Sequence, residues 1–557
     1  MTIGEVPGGA TNRPGEVMLS DLDPSLARLS TSTLGLVLVG ALMGSTGCTG
    51  NTGETGDIVL SGSGSESAGS SSGTTSDTDT SAGSAGASSD SNSTGELTTS
   101  TSTTTTTTTS GETDGGCLEG QTAACYSGPA GTEGVGVCQS GLQTCDAEGS
   151  WGPCVGEIVP STEICGNGDD DDCNGDIDDD IDADNDGWTT CGGDCCDVAG
   201  GVCQDPELVN PGAYEYAGNE VDDNCNGEVD EVAATCDDDL PSDAADPLDY
   251  ARSIDLCQFT TESPKDPEDR VWGVISAEFT LADGKGSPKA VQRSIRPNFG
   301  NSIAKQAGSR MALFSSGHAA ASKDKNPDYA GFQTGVDLKT SSLAPADWVA
   351  ANGGKLPNPP GCLAPGELTA NDPIMLTLRV RAPTNAKSFS VKMFFFSAEY
   401  PEWVCSEYND FFVALLDSAS SDNPDDKNIA IYDDGQEQWP VGVNLVKVAD
   451  GLFTACQDGT VGCQEKGIPA SSYQGCTNSS LLLGTGFDES DMVGCGSGKQ
   501  VGGGTGWLTM DGNVSPGEVF ELRLAIWDSG GHIFDSLVLL DDWQWSIDPA
   551  QPGLQPQ

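Results

Sequence analysis

Three short acidic loops hold the densest potential chemistry in this 557-residue sequence. Asp182, Asp184 and Asp186 stand at spacing two and are followed by Gly187. In a tight loop that spacing turns alternate carboxylates toward one point, and the glycine permits a sharp turn. Trp188 offers its backbone carbonyl at the seventh position, and Asp194 and Asp197 follow closely enough to close the shell. "DDDCNGDID" repeats the scheme with Asp170, Asp172 and Asn174 before Gly175, then Asp178. "DDNCNGEVDE" repeats it with Asp222, Asn224 and Asn226 before Gly227, then Asp230. Three oxygen-rich loops within about sixty residues indicate sites for a hard divalent cation, calcium before others.

The order of ligands follows the logic of the EF-hand calcium loop. Gly193 stands where a helical EF-hand has its closing Glu, so no helix–loop–helix is expected. Copper fits less well, because it prefers imidazole and thiolate. The two histidines, His318 and His532, are far away in sequence, and the local cysteines are expected to be paired.

A second group of acids stands near the C-terminus. Glu399, Glu402, Glu407 and Asp410 follow an apolar run, and Asp528 and Asp535 bracket His532. Paired carboxylates can hydrolyse glycosides, and a histidine between acids can act as a base. The commoner role for carboxylates at strand ends is to hold an ion or fix a loop. Glu399, Glu407, Asp410, Asp528 and Asp535 are therefore taken as an ion or ligand site with no catalytic assignment. Within residues 244–548, HExxH, GxSxG and phosphate-binding glycine loops do not occur. The chain is not expected to be an enzyme. The alternatives are a surface hydrolase of glycosidase type and a copper-scavenging protein.

These loops need a scaffold, and composition says what kind. Residues 117–240 hold 13 cysteines, many Gly and Asp, and few large apolar side chains. Such a segment cannot build a conventional core and must be stapled by disulfides, which implies an oxidising compartment. Residues 117–162 read as a small Cys-rich module and 163–240 as the acidic repeats. Seven further cysteines lie from residue 257 onward. Both counts are odd, so full pairing needs a bond across the boundary, and Cys236 and Cys257 are the closest candidates.

Residues 244–548 change character. In "KSFSVKMFFF", Phe389, Val391, Met393 and Phe395 alternate with Ser388, Ser390 and Lys392. In "EVFELRLAI", Phe520, Leu522, Leu524 and Ile526 alternate with Glu521, Arg523 and Ala525. Period-two runs parted by Gly, Pro, Asn and Asp indicate antiparallel strands. The expected fold is mainly β: a disulfide-rich, loop-dominated metal-binding module followed by a large antiparallel, jelly-roll-like β-sandwich. Residues 549–557 read as a tail.

The formal net charge is −61, and no Lys or Arg occurs between Arg28 and Arg252. Such a surface repels nucleic acid and anionic lipid and attracts cations. The expected partner is a surface protein or polysaccharide. Residues 49–115 are mostly Ser, Thr and Gly and read as a disordered tether. Before it, Leu34–Met43 suits a signal-peptide core, too short to span a bilayer. "STGC" at 45–48 resembles a bacterial lipobox, although Ser45 stands where Leu is usual. The resemblance implies that 1–48 is a signal with Cys48 lipidated, and that this lipid is the only membrane contact. With Thr49 next, it implies an exported lipoprotein on the outer membrane of a Gram-negative cell.

Two further resemblances cover most of the remainder. "GDCCD…NPGAYEYAGNEVDDNCNGEVDE" resembles the repeat family named after the copper-binding protein MopE, over about 163–231. Cys196 stands where that family usually has Asp, which removes one candidate ligand. "GSRMALFSSGHAA", "GFQTGVDL", "FFFSAEYPEWVCSEYNDFFVALLD" and "ELRLAIWDSGGHIFDSLVLLDDWQW" resemble the bacterial choice-of-anchor L domain over about 260–546. That likeness implies an exposed β-rich domain and supplies no reaction.

Overall fold

The alternating runs become strands. Residues 117–178, 182–265, 269–449, 451–489 and 502–556 are described by the structure, a computed structural model. Cys48 and the segments 1–48 and 49–115 lie outside the described residues. The rest falls in one compact unit, Ser110–Gln557.

In the Cys-rich module β1 (Thr122–Cys125) pairs antiparallel with β2 (Gly141–Thr144). Disulfides Cys117–Cys145, Cys125–Cys154 and Cys138–Cys173 staple it. The last of these crosses from the small module into the first acidic loop. Cys165–Cys191 and Cys195–Cys225 tie the loops to one another, and Cys196–Cys203 closes a short turn after the second. A disulfide joins Cys236 to Cys257 at the boundary with the larger domain.

The larger domain contains β3 (Gly273–Thr280), β4 (Arg293–Arg296), β5 (Asn298–Phe299), β6 (Ile303–Ala304), β7 (Met311–Ser315), β8 (Ser341–Leu343), β9 (Thr369–Arg381), β10 (Ser388–Ser397), β11 (Phe411–Asp417), β12 (Ile431–Asp433), β13 (Gln438–Gly442), β14 (Gly459–Val461), β15 (Ser471–Tyr473), β16 (Gly503–Gly504), β17 (Leu508–Asn513), β18 (Val519–Ser529), β19 (Ser536–Ser546) and β20 (Gly553–Pro556). Two short helices, α1 (Pro247–Arg252) and α2 (Ala346–Ala351), accompany them.

One sheet has the order β20-β17-β10-β19-β7-β4, the other β12-β13-β11-β18-β9-β3. The main neighbours are antiparallel throughout. β20 shows that residues 549–557, read from sequence as a tail, contribute an edge strand to the first sheet.

The sheets pack through the faces that the alternation marks. Phe389, Val391, Met393 and Phe395 of β10 share one core with Phe520, Leu522, Leu524 and Ile526 of β18. The opposite face of β18 is also covered. Trp348 of α2 packs edge-on against Trp527 and Phe411, and Arg523 pairs with Asp347. The outer face of β10 meets Phe299, Ile303, Phe332 and Phe487.

The chain crosses between sheets at each long strand: β9, β11 and β18 belong to one sheet, and β10, β17 and β19 to the other. Two of those crossovers, β10 to β11 and β18 to β19, lie at the same end of the sandwich. Phe411 pairs with Trp527, so the next rung sets Asp410 opposite Asp528. Ser397 pairs with Ser536, and one residue on, Ala398 N–H donates to Asp535 O at 3.2 Å.

Candidate metal centre

The three acidic loops fold by one hydrogen-bond scheme. The first carboxylate of each accepts two backbone N–H groups with its two oxygens. In the first loop Asn174 N–H donates to Asp170 Oδ1 and Gly175 N–H to Asp170 Oδ2, both at 3.1 Å. In the second, Asp186 N–H and Gly187 N–H donate to Asp182 at 3.1 Å. In the third, Asn226 N–H and Gly227 N–H donate to Asp222 at 3.1 and 2.9 Å. The fifth side chain accepts from the backbone two residues on, as Asp186 Oδ1 does from Trp188 N–H at 2.8 Å. These bonds curl the backbone so that the alternate side chains converge. Gly187, at φ 94°, occupies the left-handed turn that a Cβ would strain.

In the second loop the carboxylates gather most tightly. Ligand atoms of Asp182, Asp184 and Asp197 lie within 4.8 Å of one another, and so do those of Asp184, Asp186 and Asp194. Asp184 Oδ2 and Asp194 Oδ2 are buried with no hydrogen-bond partner. Burial, then the charges of neighbouring carboxylates, raises Asp184, Asp186 and Asp194 above the usual carboxylate range. Asp186 and Asp194 are each pushed up to about 6, and backbone N–H groups oppose the rise. Buried oxygens without donors, surrounded by like charge, fit a bound cation. In the first loop Asp170 and Asp172 converge with Glu163.

Glu163 was not singled out from the sequence, and its counterpart Glu215 was not either. Glu163 Oε1 accepts from Asp171 N–H at 2.8 Å and Asp172 N–H at 3.0 Å. Glu215 accepts from Asp223 N–H at 2.9 Å and Asp230 N–H at 2.8 Å. The signal was a repeat that extends before the loop: E-x₂-G-N-x₂-D-D-x-C-N-G-x-[IV]-D, beginning at Glu163 and again at Glu215. Asn167 and Asn219 play matching parts, donating to Asp171 and Asp223 at 2.6 and 2.8 Å.

Two sequence candidates serve the backbone instead. Asp178 accepts from Asn167 N–H and Gly168 N–H, each at 3.1 Å. Asp230 accepts from Asn219 N–H at 2.9 Å. Both sit at positive φ, 49° and 56°, and close their loops rather than joining the converging carboxylates. In the third loop Asn224 and Asn226 both donate to Glu231, the first at 2.8 Å. The Trp188 side chain is buried against Gly212, where an added Cβ would stand 3.1 Å from the indole nitrogen.

The module is built onto the sandwich through Asn210, which is fully buried. Its amide donates to Asp186 Oδ2 at 2.6 Å, and its oxygen accepts from Thr384 Oγ1 at 2.6 Å. Nearby, Asn385 and Tyr214 exchange two hydrogen bonds of 2.9 Å.

In the sandwich, Glu399, Asp410, Asp528 and Asp535 are all buried at the end where the two crossovers meet. Asp410 accepts from Ser536 Oγ at 2.6 Å and Ser529 N–H at 3.2 Å. Burial raises its carboxyl to about 7. Burial, followed by the neighbouring carboxylate charges, raises Glu399, Asp528 and Asp535 well above the usual carboxylate range. Glu407, grouped with them from the sequence, is exposed on the turn and does not join them. His532 stands to one side, its Nδ1 3.0 Å from Asp372 Oδ2 and 3.5 Å from Asp337. Trp543 and Trp545 are core residues, the first stacked on Phe389 at 4.1 Å.

Comparison with known families agrees with this division. Residues 160–179 and 205–231 match the copper-binding MopE model, described as a "Putative metal-binding motif". Its two matched stretches contain the Glu163 and Glu215 copies. Residues 366–544 match the Choice-of-anchor L domain. This second match runs from β9 into β19 and contains Glu399, Asp410, Asp528 and Asp535. No curated protein and no solved structure matches the chain. Neither matched model is that of an enzyme family, and together they fit a surface-associated, extracellular protein. Among the described residues no helix is long and apolar enough to cross a membrane.

Proposed function

We propose that this chain is a surface lipoprotein in which calcium rigidifies an acidic stalk, and the stalk presents the choice-of-anchor L sandwich as an adhesion domain. The observation that carries the calcium reading is the pair of buried, unpartnered oxygens, Asp184 Oδ2 and Asp194 Oδ2, among carboxylates that already converge. The donors are oxygens, as calcium requires. Copper fits poorly. Residues 160–231 contain no histidine, and their cysteines are engaged in disulfides. Asp182, Asp184, Asp186, Asp194 and Asp197 would hold the ion in the second loop, and Glu163, Asp170 and Asp172 in the first. The ion's role is to cancel charge: residues 165–240 hold 25 acidic side chains and no Lys or Arg.

The lipid anchor rests on Cys48, and the partner is taken to be a surface protein or polysaccharide. Equilibrium dialysis of the full chain against calcium and against copper tests the metal. Calcium uptake in the range of about 10⁻⁴–10⁻³ M, typical of extracellular modules, supports the reading. Tighter copper uptake that leaves no calcium bound refutes it. Cys48→Ser should move the protein from membranes to the medium, and a variant that still partitions into detergent refutes the anchor.

A further inference from the structure

We infer that the sandwich carries a divalent-cation site of its own, built from Glu399, Asp410, Asp528 and Asp535 where its two crossovers meet. It is separate from the loops in sequence and in fold. The register creates it. Asp410 and Asp528 face each other one rung beyond the Phe411–Trp527 pair, and Ser536 beside Asp535 bonds Asp410 from the other sheet. Glu399, two residues beyond the end of β10, is buried at this same end of the sandwich. A bulge between β18 and β9 falls at Ile526–Asp528, a device that re-aims a side chain.

The observation that points to a ligand is Asp528. It is 1% exposed, and neither of its oxygens has a hydrogen-bond partner. The neighbouring Ser316 hydroxyl is engaged elsewhere, donating to Ser536 O and accepting from Ser536 N–H at 3.0 Å. Glu399 Oε2 and Asp535 Oδ2 are buried and unpartnered as well. Among the described residues no Lys or Arg pairs with any of the four. Four carboxylates buried without a counter-charge cost far more than a fold can absorb unless protons or a cation neutralise them. Carboxylate and hydroxyl oxygens select a hard ion, and calcium is the one such a site takes outside a cell. Among the described residues, no three of these carboxylates bring ligand atoms within 4.8 Å of one another. Binding therefore draws the crossovers together. Asp535 packs directly on Gly317, where a Cβ would meet its Oδ2 at 2.0 Å.

Bound calcium is counted by equilibrium dialysis on the full chain, beside Asp528→Asn and the loop variant Asp184→Asn/Asp186→Asn. Asp528→Asn should bind one ion fewer than wild type and keep loop binding. Undiminished stoichiometry overturns the proposal. Should Asp528→Asn fail to fold, amide exchange on the wild-type chain decides. Calcium should slow exchange in 398–412 and 528–537 at pH 8 by about tenfold or more. Slowing in 165–231 with none at the crossovers means that protons alone neutralise the cluster, and it overturns this proposal while leaving the loop reading intact. Slowing at the crossovers alone does the reverse.

Discussion

Asn210 Nδ2 lies 2.6 Å from Asp186 Oδ2, so a buried amide of the module holds a loop carboxylate while its oxygen grips Thr384 of the sandwich. This one side chain couples the state of the second acidic loop to the domain it supports. A hydrogen bond to a charged group contributes roughly 1.5–3 kcal/mol. Asn210→Ala should cost about 2 kcal/mol in urea unfolding of the calcium-loaded chain and weaken calcium binding as well. Thr384→Val should cost less and leave calcium affinity unchanged. Equal losses of affinity in both variants would show that Asn210 does not act through Asp186.

The duplicated glutamates separate two roles. Both bonds to Glu163 use one oxygen, leaving Oε2 unpartnered beside Asp170 and Asp172. Glu215 uses both of its oxygens on backbone N–H groups. Glu163→Gln should therefore leave stability in chelator unchanged and weaken calcium binding. Glu215→Gln should lower stability in chelator by about 1 kcal/mol, the worth of one hydrogen bond. Thermal melts with and without calcium read both effects, and identical behaviour of the two variants would defeat the assignment.

The sequence carried much of this in its spacing. Alternation in β10 and β18 named the residues of the inter-sheet core, because side chains on a strand point to opposite faces. Asp182, Asp184 and Asp186 were legible because spacing two and a following glycine are local. Asp178 and Asp230 fit the same pattern but cap backbone, since their positive φ turns them from the site and spacing does not encode φ. Glu163 and Glu215 stand seven residues before Asp170 and Asp222, beyond any loop template, and only the internal repeat marks them. Glu407 shares its stretch with Glu399 and Asp410, yet the turn exposes it. Residues 553–556 lack alternation, and only their pairing with β17 makes them a strand.

The disulfide between Cys236 and Cys257 spans 21 residues and ties the module to the sandwich. In the loop-entropy account a closure of this size stabilises by about 3 kcal/mol. Cys236→Ser with Cys257→Ser should lower stability by that order without changing the number of bound calcium ions. A variant of unchanged stability would mean that the bonds of Asn210, Tyr214 and Asn385 suffice at this boundary.

Acid groups at the same boundary set a pH dependence. Burial raises Asp541 to about 7, despite N–H groups from Gln306 and Ala307, with Asp255 repulsion adding to it. Burial, then the charges of Asp237 and Asp542, raises Asp255 to about 6, with Lys305 opposing. A carboxyl raised in the folded state binds its proton more tightly there than when unfolded. Its contribution is therefore fully present below the unfolded value near 4 and is lost as pH rises through about 7. In saturating calcium, Asp541→Asn should match wild type at pH 4.5 and exceed it at pH 8, by an amount on the order of 1–3 kcal/mol. A constant difference across that range would contradict the assignment.

If a hard cation makes the acidic module rigid, its presence must protect that segment from cleavage. The full chain is digested by a glutamate- and aspartate-directed serine protease in chelator and in millimolar calcium, and cuts within 165–231 are timed by mass spectrometry. Trypsin cannot serve, since that segment has no Lys or Arg. Calcium should slow those cuts by about tenfold or more, magnesium should act weakly because it dehydrates reluctantly, and Asp184→Asn/Asp186→Asn should abolish the protection around the second loop. Identical cutting in chelator and in calcium would contradict it and leave disulfides as all that holds the segment.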